Sequence, residues 1–326
     1  MQVRFFRAVI HTLLVLITLV TATISGTLFP FGPVDMIPLM EVNDLEGLLN
    51  FLLLFPYFYA AWLRDLLTLL ATRPALLIYG LEFSISLIFI IFCHEMGHYI
   101  ACRYYRVEAT LPAFIPSPPL ISPAGTFGAF IKIKSHFPTR KAIFDIGVAG
   151  PIAGFIALLP VAVLGVATMQ TAPPEQIQQS PIYFADPLLI KLIGAIFGVD
   201  LSLGIGNAFY FAAWVGLLMT ALNLIPAGQL DGGHATFALF GGRLHHVIGN
   251  AAFLAMALFT ILGWYFYSSP SGLIFTLILA VMTRIGHPPA MEMERLPQSR
   301  KIVALLTLLI FILSFAPIPV RINLNL

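Results

Sequence analysis

The sequence predicts an all-α polytopic membrane protein with about seven transmembrane helices. Three observations carry that expectation. Of 326 residues, 59% are hydrophobic and only 10% charged, whereas a soluble domain usually carries about 25% charged residues. The mean hydropathy is +0.93. Apolar runs recur at lengths suited to a hydrocarbon core about 30 Å thick. The formal net charge of +2 is small and scattered, so the lipid bilayer is the expected surrounding and no nucleic acid is expected as a partner. Cys93 and Cys102 lie about 13 Å apart along one helix, too far to bridge. With no other cysteine, a disulfide framework or a thiolate metal site within one chain is excluded, and both thiols are read as small buried side chains.

The first run, from Ala8 to about Leu28, follows Arg4 and Arg7. It is longer than a signal-peptide core and lacks a small-x-small cleavage pattern, so it is read as an uncleaved span. Further spans are expected at about 76–100, 143–168, 208–225, 247–267, 271–284 and 302–318. Residues 48–63 are apolar too, but Pro56 interrupts them and Arg64 and Asp65 follow at once. They are expected to lie in the interface or to re-enter. On that count the N-terminus and residues 101–142 share one side. Arg103, Arg106, Lys132, Lys134, Arg140 and Lys141 make it the cytoplasmic side by the positive-inside rule, and Arg284, Arg295, Arg300 and Lys301 agree. The 168–207 loop, whose one basic residue is Lys191, then faces outward. With no evident organellar transit peptide, a bacterial-type plasma membrane is the expected location.

A Pro-rich run from Pro112 to Pro123 precedes a segment rich in β-formers, Thr126 to Lys134, in which charge alternates with apolar residues at the end. A short membrane-associated strand or hairpin is expected near 125–134, with an edge suited to pairing with an extended substrate. The alternative is a hairpin that never touches substrate. Three regions result: 1–75, an N-terminal span with an external or interfacial segment; 76–245, a core; and 246–326, C-terminal spans. None of the connections has room for an inserted soluble domain.

The chemistry gathers at two places. His94-Glu95-Met96-Gly97-His98 closes one apolar run with an HExxH pattern. Residues i and i+4 are about 40° apart on a helix, so two imidazoles can reach one tetrahedral zinc, with Glu95 beside them to take a proton from water. Eight His and eight Glu placed at random in this chain would give roughly 0.005 such patterns. A carboxylate near membrane depth costs on the order of 3 kcal/mol and marks a functional site by default. The competing reading is a set of polar residues at a solvated helix end. Catalytic zinc needs a third protein ligand, and Asp231 is the clear candidate. Asn223-Leu224-Ile225-Pro226 ends another span and Gln229-Leu230-Asp231-Gly232-Gly233-His234 follows, so Pro226 and the glycines should break the helix where a carboxylate can turn back to the metal.

These two motifs, with Gly125-Thr126-Phe127-Gly128-Ala129-Phe130-Ile131 and Gly147-Val148-Ala149-Gly150-Pro151, resemble the site-2 protease family of intramembrane zinc proteases over most of residues 76–245. The resemblance implies a three-helix catalytic core, here about 76–103, 143–168 and 208–231. It also implies one zinc on His94, His98 and Asp231, with Glu95 as general base. Asn223 matches the family asparagine that orients substrate or stabilises the oxyanion. The substrates implied are membrane-spanning proteins cut in regulated intramembrane proteolysis. Residues 1–326 leave no room for a PDZ domain, so the branch without one is the closer match and no PDZ-mediated partner is expected.

The remaining polar residues receive plainer readings. His234, one turn after Asp231, is a further ligand or a donor to one, although three ligands are already named. His136, His245, His246 and His287 are read as solvated loop residues, and His11 as interfacial. Glu82 points about 120° away from His94 around the helix, and Asp145 suits a helix N-terminus. Gly147, Gly150 and Gly154 are read as packing positions against the metal helix. Two other classes of function use the same residues: a metal transporter or sensor, and an inactive scaffold.

Overall fold

The computed structural model describes residues 2–28, 44–119, 122–178, 180, 182–285, 291–292 and 294–322. The chain begins with α1 (Gln2–Leu28), α2 (Leu45–Thr72) and α3 (Pro74–Tyr104), followed by a hairpin of β1 (Ala113–Pro116) and β2 (Thr126–Phe130). Next come α4 (Arg140–Ala167), β3 (Gln170–Thr171), α5 (Pro174–Gln178), β4 (Ile182–Phe184), α6 (Leu188–Phe197) and β5 (Gly204–Ile205). The last part holds α7 (Ala208–Leu224), α8 (Asp231–Phe240), α9 (Gly242–Tyr267), α10 (Ser271–Met282), α11 (Gln298–Ser314) and β6 (Val320–Ile322). The protein is a mostly helical, multi-pass membrane protein. Among the described residues five helices, α1, α2, α3, α4 and α9, are long and apolar enough to cross a bilayer.

That set differs from the expected spans in identifiable ways. Pro56 does not interrupt α2, which runs unbroken for 28 residues; a proline inside an apolar helix is tolerated where the freed carbonyl is otherwise satisfied. α7, α10 and α11 form where spans were expected but have 17, 12 and 17 residues. At 1.5 Å per residue α10 reaches only about 18 Å, less than a hydrocarbon core. The outward 168–207 segment is not a bare loop, since α5, α6 and three short strands fold in it. His287 lies outside the described residues, as do residues 29–43.

Three helices form the centre. Apolar side chains fill the seams between α3, α4 and α7, among them Phe83, Leu87, Leu158 and Leu217, all buried. α4 is the middle layer, buried along most of its length, whereas most of α9 is left uncovered by the rest of the chain. Small residues let α3 and α4 touch backbone to backbone. A Cβ on Gly97 would press on the Ala149 carbonyl and, at 2.9 Å, on Ala153 Cβ. α7 returns antiparallel to α4, with Gly165 beside Tyr210 at one end and Gly216 beside Leu158 further along.

α1 also packs antiparallel to α3. Thr23 Oγ1 and Ser84 Oγ are hydrogen-bonded at 2.8 Å, whereas His11 Nδ1 lies 3.0 Å from the Pro112 carbonyl, past the far end of α3. The start of α1 and the end of α3 therefore lie at the same end of the molecule. Between these points the β1–β2 hairpin lies along α1: Thr21 Oγ1 donates to the Gly125 carbonyl at 2.7 Å. From His11 to Thr21 is about 15 Å of helix, so the hairpin reaches to membrane depth rather than lying on the surface. Its strands are antiparallel, with Ala113 opposite Phe130 and a bulge between Phe114 and Pro116. An isolated bridge between Ala109 and Ile133 extends the pairing.

Candidate metal centre

α3 supplies His94, Glu95 and His98 from successive turns, all three buried. The helix runs on to Tyr104, which places His94 about 15 Å inside its end rather than at the terminus that the apolar run suggests. α7 ends at Leu224, with Asn223 in its last turn. The chain then turns through Pro226 and restarts as α8 at Asp231. This turn is tight because Gly232 and Gly233 lie directly on the carbonyls of Leu224, Ala227 and Gly228, where a Cβ would not fit. At the other end of α8, Arg140 donates to the carbonyls of Ala238 at 2.5 Å and Leu239 at 3.1 Å, which satisfies helix-terminal acceptors with a cation. Asp231 is thus held at the start of a short helix fixed at both ends.

The two distant stretches meet. His94 Nε2 and His98 Nε2 are 3.2 Å apart. Asp231 Oδ2 lies 3.2 Å from His94 Nε2, and Asp231 Oδ1 lies 3.2 Å from His98 Nε2. Ligands of a tetrahedral zinc, each about 2.0–2.1 Å from the ion, stand about 3.3 Å from one another. The three side chains therefore already have the spacing of a zinc ligand set. Asp231 Oδ2 is also buried without a hydrogen-bond partner, although it lies within ion-pair reach of His94; an acceptor left in this condition is costly unless a cation satisfies it. No other group of three or more His, Cys, Asp or Glu side chains among the described residues could hold an ion. Zinc is the metal that this donor set fits, one per chain.

Surrounding groups orient the ligands. His98 Nδ1 lies 2.7 Å from the Ile146 carbonyl of α4; donation there fixes the tautomer that leaves Nε2 free for metal. That contact exists because α4 comes close at Gly150, where a Cβ would meet the His98 ring, and at Gly154, where it would lie 3.0 Å from His94 Cβ. Gly147 faces α8 instead of α3, where a Cβ would lie 2.6 Å from His234 Cβ, a correction to the expectation that all three glycines serve the metal helix. Asn223 Nδ2 lies 3.3 Å from His94 Nε2, at the edge of the triangle. The Ile131 backbone N–H faces the Glu95 carboxylate. Neither the Ile146 carbonyl nor the Ile131 amide is identifiable from residue type, since any residue offers the same backbone group.

A cavity of about 610 Å³ opens onto these groups, lined by the metal residues, Glu95, Asn223 and the segment 129–137. β2 pairs with β1 alone among the described strands, which leaves its second edge without a strand partner, and Ala129 and Phe130 of β2 line the cavity. That edge is covered further on, where Met291 N–H donates to the Phe137 carbonyl. The other polar residues fall as follows. His234 and His136 line the cavity. His245 is not solvated: it lies in α9, fully buried, with Nδ1 3.0 Å from Thr236 Oγ1. His246, beside it in α9, is exposed. Asp145 is bound by Arg300 Nη2 at 2.7 Å and Nε at 3.1 Å and by the Tyr105 hydroxyl, which ties α4, α11 and the end of α3 together. Glu82 is exposed on α3. Of the two thiols, only Cys102 is fully buried.

Fold and site together define a multi-pass membrane protein in which an HExxH motif and an aspartate converge between helices at a spacing that could hold a metal ion. Residues 82–263, more than half of the chain, match peptidase family M50, and the chain belongs to that family. It is similar to the probable zinc metalloprotease EGY1, chloroplastic, of Arabidopsis thaliana, at 28% identity over 73% of this chain and 43% of the relative. Similarity to the probable zinc metalloprotease EGY2, chloroplastic, of Oryza sativa subsp. indica is 31% over 50% of this chain and 30% of the relative. The chain thus spans less than half the length of these relatives. A solved site-2 protease from Methanocaldococcus jannaschii aligns over 72% of this chain and 91% of its own at 17% identity, with a TM-score of 0.35, too distant to bear on the site.

Proposed function

We infer that the chain is a zinc-dependent intramembrane endopeptidase that hydrolyses peptide bonds of membrane-spanning proteins, in the manner of regulated intramembrane proteolysis. The observation that carries this reading is the convergence of His94, His98 and Asp231 at ligand spacing, with the Glu95 carboxylate beside them in a cavity. When bound, zinc polarises a carbonyl and lowers the pKa of water toward about 7. Glu95 takes the proton of the attacking water and returns it to the leaving amine, with the Ile131 amide facing its carboxylate. Asn223 turns its amide toward the oxyanion, a donor already aimed at the metal edge of the cavity. A substrate helix hides its carbonyls in its own hydrogen bonds, so it must unwind. The open edge of β2 supports binding of the unwound segment by strand addition.

The face bearing Arg103, Arg106, Lys132, Lys134, Arg140 and Lys141 is the cytoplasmic one on this proposal, supported by the positive-inside rule. A bacterial plasma membrane is the location proposed. The plastid named for the relatives is the alternative that fractionation would reveal. The direct test is Glu95→Gln assayed on a membrane-spanning substrate in detergent: bound zinc is expected to stay near one per chain while cleavage is lost. Undiminished cleavage would remove Glu95 from the reaction and the reading with it.

A further inference from the structure

We propose that Lys132 and Lys134 make the cavity rim a charge filter. It admits substrates whose residues beside the scissile bond are acidic or uncharged, and it rejects the Lys/Arg-rich flank common in membrane proteins. This rests on the protease reading of the cavity. Both lysines line it, while the acidic side chains that line it are Glu95 and Asp231 alone. Asp231 is engaged inside against the two histidines, and Glu95 is buried beside them. No ion pair among the described residues involves Lys132 or Lys134.

The backbone fixes where these charges stand. The Lys132 carbonyl accepts from Thr110 N–H at 3.0 Å, its own N–H donates to Thr110 Oγ1 at 2.9 Å, and Lys134 N–H donates to the Glu108 carbonyl at 2.7 Å. Lys132, Lys134 and His136 are exposed while Ile131 and Ile133 between them are half-buried, the alternation of an extended strand. Glu108 stands across from Lys134 but does not line the cavity. A substrate strand added at this edge would set its side chains about 5 Å from the lysines, where like charges directly opposite are unfavourable.

Membrane proteins carry excess Lys and Arg on one flank of their spans. The rim stands at an end of the molecule that also bears Arg103, Arg106 and Arg140. An ordinary basic flank therefore meets like charge just where it would have to pair. Repulsion of the commonest competitor is a way to be specific without any added attraction for the right substrate.

The test uses three membrane-spanning model substrates that differ only in two residues beside the cleavage point: Glu-Glu, Gln-Gln or Lys-Lys. For the wild-type protein kcat/KM should favour the Glu-Glu flank over Lys-Lys by roughly tenfold, the product of a few exposed charge pairs. The ratio should shrink as salt screens them. In K132E/K134E the ratio should invert. Should that variant fail to accumulate, K132Q/K134Q should bring the ratio near one. Equal rates for all three flanks in low salt, or an order unchanged in the variants, would overturn the filter and leave the protease reading intact. Absence of Glu95-dependent cleavage even of the Gln-Gln substrate would instead remove the reading on which it rests.

Discussion

At the residue scale, a few small side chains decide whether the metal site can form. Among those on α4 that face the metal helix Gly150 is the tightest, because a Cβ there would meet the His98 ring itself, whereas a Cβ at Gly154 would lie 3.2 Å from His94 Nδ1. Gly150→Ala must push α4 away from α3 or turn the imidazole off the Ile146 carbonyl. Overpacking of this kind costs about 1–3 kcal/mol. We expect Gly150→Ala to lower both the thermal midpoint and the bound zinc more than Gly154→Ala does; equal effects in metal analysis and melting would show that the close approach is not tuned to His98. Asp231→Asn tests the ligand set separately. It keeps the shape of the side chain but loses the charge that the metal offsets, so zinc per chain should fall well below one in purified protein. At this scale His94, Glu95 and His98 were legible in the sequence because a four-residue spacing on a helix is itself geometry. Asp231 was legible only as a companion of that motif. The Ile146 carbonyl and the Ile131 amide were not legible, since backbone groups have no letter of their own.

At the scale of elements, the helix break after Asn223 and the hairpin near 125–134 could be read from proline, glycine and β-forming residues, because those residues constrain the backbone locally. The unbroken course of α2 through Pro56 and the shortness of α10 could not, because apolar composition alone does not say whether a segment ends by turning or by crossing. His245 shows the same limit: it looks like a loop residue until α9 starts early and Thr236 reaches it. α8 is the element on which most depends. It carries Asp231 at its first position, and its far end is held by Arg140, whose guanidinium binds the Ala238 and Leu239 carbonyls. Arg140→Met keeps the apolar stem and removes both bonds. It should destabilise the protein by about 1–2 kcal/mol and speed zinc loss to a chelator, with Asp231 itself untouched. A zinc release rate equal to that of the wild type would mean that the turn at Pro226, rather than the cap, holds the carboxylate in place.

For the whole molecule, the antiparallel packing of α1 on α3 fixes a parity that individual helices do not. The end of α1 and the start of α3 lie together, Gly26 against Phe83 and Gly80 against Thr27, and α2 ends one residue before α3 begins. Residues 29–73 therefore start and finish on one side of the membrane. α2 is long enough to cross, but its last residue adjoins the start of α3, on the same side as the end of α1. We expect α2 to stay on the side away from the zinc site. In a variant with Cys93 and Cys102 replaced by alanine, single cysteines at Gln2 and Glu108 should react with a membrane-impermeant maleimide from one side only. Cysteines at Glu46, in the first turn of α2, and at Glu175, in α5, should react from the other. Labelling of the Glu46 position together with Glu108 would show that α2 crosses. Labelling of Gln2 opposite to Glu108 would break the antiparallel pair, and with it the support that α1 gives the hairpin whose edge borders the site.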